Sequence, residues 1–172
     1  MSHLNVEIKA RCSSHEKVLE KLKELDAKYI GCDKQVDTYF KCTHGRLKLR
    51  EGNIENNLIQ YYRPDEEGPK KSEITLYKPS PDPNLKAALT KALSVLIEVN
   101  KKREIYFIDN IKIHLDTIDS LGTFVEIEAI DEFGKIGEDK LRKQCEELIQ
   151  LFEIKSEDLI ECSYSDMLLK KQ

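Results

Sequence analysis

Apolar and charged residues alternate with a period of two in segment after segment of this chain. Asn5, Glu7, Lys9 and Arg11 interleave with Val6, Ile8 and Ala10, and Arg46, Lys48 and Arg50 interleave with Leu47 and Leu49. Lys112, His114 and Asp116 alternate with Ile111, Ile113 and Leu115, and Glu126 and Glu128 with Val125, Ile127 and Ala129. Successive side chains on a strand point to opposite faces. Each segment therefore predicts a strand with one apolar and one ionic face.

Strands are predicted at 4–11, 34–41, 45–51, 57–63, 73–78, 95–108, 110–118 and 123–130. Asp109-Asn110, between two apolar-rich runs, reads as a two-residue hairpin turn. Helical spacing places Val18, Leu22 and Leu25 on one face over 13–28, where Ser13 and Glu16 stand at capping-box distance. Further helices are expected at 84–94 (Leu85, Ala88, Leu89, Ala92) and 138–152 (Leu141, Cys145, Leu148, Phe152). A short one is expected from Ser163 or Ser165 to Lys170. The Pro-rich stretches 63–69 and 79–83 read as loops inside one domain spanning 1–172. The fold class is α+β: a closed or nearly closed eight-stranded antiparallel β-barrel, or tunnel, with amphipathic helices packed outside.

Half-exposed strands with a polar side to water are common, but such faces mix Lys, Glu, Thr, Ser and Gln. Here basic residues recur at i, i+2 in Lys48/Arg50 and in Lys101/Arg103, and carboxylates in Glu126/Glu128. The geometry expected is an inverted barrel, with apolar strand faces outward under the helices and charged faces around a wet lumen. Clustered charge of this kind needs a ligand of opposite sign. Lys and Arg suit phosphate oxygens, and paired carboxylates suit Mg2+ or Mn2+. Side chains at i and i+2 lie ~6.5–7 Å apart, so two carboxylates can converge on one cation or flank two.

Composition narrows the class. Hydrophobic residues at 40% and charged residues at 35% exclude a disordered chain. Lys plus Arg total 28 against 32 Asp plus Glu, a net charge of −4, which disfavours nucleic acid as a partner. The absence of a run of ~18 apolar residues predicts no membrane span. The N-terminal MSHLNVEIKA has no apolar core of a secretory signal. Cys12, Cys32, Cys42, Cys145 and Cys162 show no C-x-x-C spacing and predict reduced thiols in a cytoplasmic protein.

The ordered set of motifs resembles the CYTH domain group, the triphosphate tunnel metalloenzymes, most closely its class IV adenylyl cyclase-like branch. The set is Asn5-Val6-Glu7-Ile8-Lys9 against E-x-E-x-K, then Asp37-Thr38-Tyr39-Phe40, Arg46-Leu47-Lys48-Leu49-Arg50, Tyr62-Arg63-Pro64 and Lys101-Lys102-Arg103-Glu104. Ile113-His114-Leu115-Asp116, Leu121-Gly122-Thr123-Phe124-Val125-Glu126-Ile127-Glu128 and Ser163-Tyr164-Ser165-Asp166 complete it. The resemblance implies that Lys9, Lys48, Arg50, Arg63, Lys101 and Arg103 hold a phosphate chain. It further implies that Glu7, Glu126 and Glu128, with Asp116 nearby, hold Mg2+ or Mn2+, and that Lys9, Arg103 and Asp116 act at the reacting group. Asn5 departs from the motif: an amide brings no negative charge, so metal is expected to be held more weakly there. The implied activity is metal-dependent cleavage of a small triphosphate (tripolyphosphate, ATP or thiamine triphosphate). The alternatives are cyclisation of ATP to cyclic AMP and pyrophosphate, or non-catalytic binding of nucleotide or polyphosphate. A homodimer is left open, and a carrier of apolar ligands is disfavoured by the charged faces.

Overall fold

The computed structural model describes residues 2–63, 68–80, 82 and 84–172. Among these, eight strands close a barrel: β1 (Ser2–Arg11), β2 (Lys28–Phe40), β3 (Arg46–Glu51), β4 (Asn57–Tyr62), β5 (Lys70–Tyr77), β6 (Val95–Ile108), β7 (Ile111–Ile118) and β8 (Gly122–Asp131). The order around the wall is β1-β5-β4-β3-β2-β6-β7-β8, and every pairing is antiparallel. Four α-helices accompany them: α1 (His15–Glu24), α2 (Asn84–Leu93), α3 (Glu138–Leu151) and α4 (Tyr164–Leu169). A 3-10 turn spans Ser156–Asp158. No helix among the described residues is long and apolar enough to cross a membrane. The expected loops at 63–69 and 79–83 fall partly outside the described residues.

The inversion holds for β1 and for most of β7 and β8. Apolar residues there, including Ile8, Ile113 and Ile127, point outward and are fully enclosed against Val18 and Leu22 of α1 and Leu141, Cys145 and Leu148 of α3. Each such side chain contributes about 1.5–3 kcal/mol on burial, so this outer layer is what lets the opposite faces stay ionic. Elsewhere the inversion is incomplete. Tyr39, Ile59, Tyr61, Ile97, Val99 and Phe124 face inward and form a second cluster with Tyr164 at one end of the barrel. Met167, Leu168 and Leu169 of α4 pack on this cluster. Helix α2 covers less than its apolar stripe predicts: it buries no residue, and Ala88 and Ala92 are exposed.

Several boundaries differ from expectation for identifiable reasons. The Ser13/Glu16 capping box does not form: the N-cap is Ser14, without a side-chain cap bond. The capping box occurs instead in α4, where Ser163 and Asp166 cap each other reciprocally. Helix α1 stops at Glu24 rather than running to Lys28, because Asp26 enters the left-handed region at φ 50°. Ala27 N–H then bonds to Leu22 O and Asp26 N–H to Lys23 O, the paired terminal bonds of a Schellman motif. Glu153 (φ 54°) ends α3 in the same way. Strand β2 starts at Lys28, earlier than expected, running through a register shift between Tyr29 and Gly31. Gly31 is required there: its φ is 149°, and a Cβ would sit 2.8 Å from Ile54. Asp109-Asn110 makes the expected β6–β7 turn, with Asp109 at φ 50°.

Candidate functional site

Inward faces of the strands enclose a cavity of about 620 Å³ that runs from Tyr164 toward Phe107 and Glu132. All six predicted phosphate-binding cations line it: Lys9 from β1, Lys48 and Arg50 from β3, Arg63 just after β4, and Lys101 and Arg103 from β6. Glu7, Glu126 and Glu128 line it as well. Lys102 and Glu104 alternate to the outer face, as their strand positions require.

Two buried aspartates organise these cations. Asp37, 0% exposed on β2, accepts from Arg50 Nε (2.8 Å) and Nη2 (2.9 Å), Lys48 Nζ (3.0 Å) and Lys101 Nζ (2.7 Å). Burial alone would raise its pKa; Arg50, Lys101 and Lys48 overcome that and hold it well below the usual carboxylate range. Burial, with Arg103 and Arg50 nearby, pushes the Lys101 ammonium pKa down. On β7, the other neighbour of β6, Asp116 accepts from Arg103 Nε at 2.6 Å and from Arg103 Nη2, and from the Tyr164 hydroxyl at 2.8 Å. Neither Asp116 nor His114 is among the residues that line the cavity. Both Asp116 oxygens are taken, by Arg103 and by the Tyr164 hydroxyl, which sets it behind Arg103.

Glu126 is bound at both oxygens, to Lys9 Nζ at 2.9 Å and to Arg103 Nη2. Burial would raise its pKa, but Lys9 and Arg103 hold it well below the usual range. Glu7 lies opposite Glu128 in the β1–β8 register but turns toward Arg63, accepting from its Nη1 at 2.6 Å. The group whose donor atoms all fall within 4.8 Å of one another is therefore Glu126, Glu128 and His114. Burial and the nearby Arg103 lower the His114 pKa, which favours its neutral form. This trio, two carboxylates and an uncharged imidazole, fits a divalent cation. The buried Asn5 Oδ1, which has no partner among the described residues, belongs to a residue lining the same cavity. Arg63 Nε and Nη2 and Ser72 Oγ are likewise buried without partners, and Arg63 N–H groups so placed suit anionic oxygens.

Sequence reasoning assigned no role to Glu55, Asp37 or Tyr164. Glu55, from the β3–β4 loop, accepts from Arg50 Nη1 (2.9 Å), Gln35 Nε2 (3.0 Å) and Lys112 Nζ. It is held in place by Asp33, which accepts from the Ile54 and Glu55 amides at 2.9 Å. The ring of Tyr164 stacks 4.0 Å under Lys9 Nζ. A loop carboxylate has no periodicity to betray it. Asp37 and Tyr164 were visible only as members of matching motifs.

A family model for the CYTH domain matches residues 3–164. The chain belongs to the CYTH domain family. A curated relative from Methanocaldococcus jannaschii, named a putative adenylate cyclase, is 26% identical over 174 residues, covering 95% of this chain and 98% of that one. A Pyrococcus furiosus protein of known structure superposes with a TM-score of 0.78 at 20% identity, over 94% of this CYTH chain and 98% of its own. A Hippeastrum protein, described as a putative adenylyl cyclase that reveals a dominant triphosphatase activity, superposes with a TM-score of 0.65 at 13% identity, over 98% of this chain and 95% of its own. At these identities the structural likenesses establish the fold.

Proposed function

We propose that this CYTH protein is a divalent-metal-dependent triphosphatase of small triphosphates: tripolyphosphate, ATP or thiamine triphosphate. The observation that carries this is the convergence of the six predicted cations, from three strands and the residue after a fourth, on one cavity, where Lys78 and Lys112 join them and Glu7, Glu55, Glu126, Glu128 and Glu132 supply carboxylates. Lys9, Lys48, Arg50, Arg63, Lys101 and Arg103 bind the phosphate oxygens and neutralise charge that moves onto the leaving oxygen as the bridging P–O bond breaks. Asp37 holds Lys48, Arg50 and Lys101 and Asp116 holds Arg103, so little reorganisation of these four is needed at the moment of reaction. Water supplies the new oxygen on phosphorus, and the released chain keeps the bridging one. Glu126 and Glu128, with Glu7 close by, would hold Mg2+ or Mn2+. Such an ion supplies Lewis-acid polarisation of a phosphoryl oxygen and lowers the pKa of a bound water. A cytoplasmic location suits the five free thiols.

A second reading, cyclisation of ATP, is favoured by the name of the M. jannaschii relative. Incubation with tripolyphosphate, ATP and thiamine triphosphate, with and without Mg2+ or Mn2+, separates the two. Free phosphate supports the hydrolase, whereas cyclic AMP with pyrophosphate supports the cyclase. Tight binding without turnover would replace both with a binding module.

A further inference from the structure

We propose that His114 is a ligand to the divalent cation of this lumen and tilts the site toward Mn2+ over Mg2+. The proposal rests on the cation site proposed above and adds a nitrogen donor to it. His114 is 0% exposed and lies opposite Glu126 in the β7–β8 register. Its Nδ1 stands 3.3 Å from Glu126 Oε2 and 3.8 Å from Glu128 Oε1. Neighbouring donors around an octahedral cation with bonds of about 2.0–2.1 Å stand about 3 Å apart, closer than the imidazole stands to either carboxylate, so the three groups would draw together around a bound ion. The other ring nitrogen, Nε2, is buried and has no hydrogen-bond partner among the described residues. No second hydrogen bond therefore fixes which ring nitrogen carries the proton, and moving it to Nε2 frees the Nδ1 lone pair for a metal. Nothing else in the described wall claims the ring, and its one polar attachment is to the two carboxylates.

A second observation points to the same place. Asn5 is 2% exposed and lines the cavity with its Oδ1 unpartnered. It lies two residues along β1 from Glu7, which faces Glu128. The donors offered to a cation are thus imidazole, carboxylate and amide, with less negative charge than a carboxylate at position 5 would provide. Mg2+ takes oxygen donors and dehydrates reluctantly, whereas a nitrogen donor raises affinity for first-row transition ions. The arrangement favours Mn2+. Lys9 and Arg103 occupy Glu126 in the absence of a polyanion. A phosphate chain that draws these cations away frees the carboxylate for the metal.

Pulsed EPR on the full chain with bound Mn2+ tests this, alone and with a bis-methylene triphosphate that carries no nitrogen. Protein grown on 15N-histidine should show a 15N coupling to the ion. H3Q, H15Q and H44Q should keep it and H114Q should lose it. H114Q should also weaken Mn2+ binding by about tenfold or more while changing Mg2+ binding less than about threefold. Where H114Q does not fold, the labelled H3Q, H15Q and H44Q proteins still decide. Mn2+ bound without histidine coupling overturns the role of His114 and leaves the cation site standing. Failure to bind Mn2+ with or without the analogue overturns both.

Discussion

Arg103 grips Asp116 through two parallel hydrogen bonds, Nε to Oδ1 at 2.6 Å and Nη2 to Oδ2, with Arg103 2% and Asp116 0% exposed. Buried fork-to-fork pairs fix orientation as well as charge. Asp116→Asn keeps the shape but leaves Arg103 underbalanced, and breaking one side of a buried pair costs about 3–5 kcal/mol. Urea unfolding of D116N should show a loss of that order. A loss under about 1 kcal/mol would mean that Glu126 alone suffices to hold Arg103.

The lumen assignment is tested at Arg103 and Glu126. Removing one preorganised group that meets developing charge lowers rates about 10²–10³-fold. R103A and E126Q should each reduce phosphate release from the preferred triphosphate by at least about 100-fold. Near-native circular dichroism would separate this from misfolding. Full activity in either variant would place the chemistry elsewhere.

Asn5→Glu restores a carboxylate on the cavity wall beside Glu7. Additional ligand charge tightens cation sites, so Mn2+ and Mg2+ should both bind more tightly, on the order of tenfold. Titration calorimetry with the metal alone measures this. Unchanged affinity would show that position 5 does not reach the ion.

Asp37 and Glu126 govern the response to acid. Both folded-state pKa values lie well below normal, so their contribution to stability is fully present above the unfolded carboxylate pKa of about 4. It is lost only as pH falls through the lower folded values. The far-UV signal should therefore stay constant from pH 7 to about pH 4, with unfolding at lower pH. D37N removes the partner of Lys48, Arg50 and Lys101, and its unfolding should set in at higher pH. An acid midpoint unchanged by D37N would count against Asp37 as the organising anion.

Much of this was legible in the sequence because a two-residue period maps directly onto the two faces of a strand. Glu7, Lys9, Lys48, Arg50, Lys101, Arg103, Glu126 and Glu128 all reach the cavity. What resisted reading was whatever depends on pairing across the barrel. Asp116 shares the inward face of β7 with His114, and only the register, which sets Asp116 opposite Arg103 and His114 opposite Glu126, separates brace from ligand candidate. Asp37 shares a face with Gln35 and Tyr39 in a strand whose other face mixes Lys34, Val36, Thr38 and Phe40, so no clean alternation marks it. The helix ends at Asp26 and Glu153 carry no glycine signal, since acidic residues there adopt the left-handed conformation.

Tyr164, the first residue of α4, sets its ring under Lys9 and its hydroxyl on Asp116 behind Arg103. The last segment of the chain is thus a piece of the cavity wall, and a protein clipped before Ser163 should lose its hold on both cations at once.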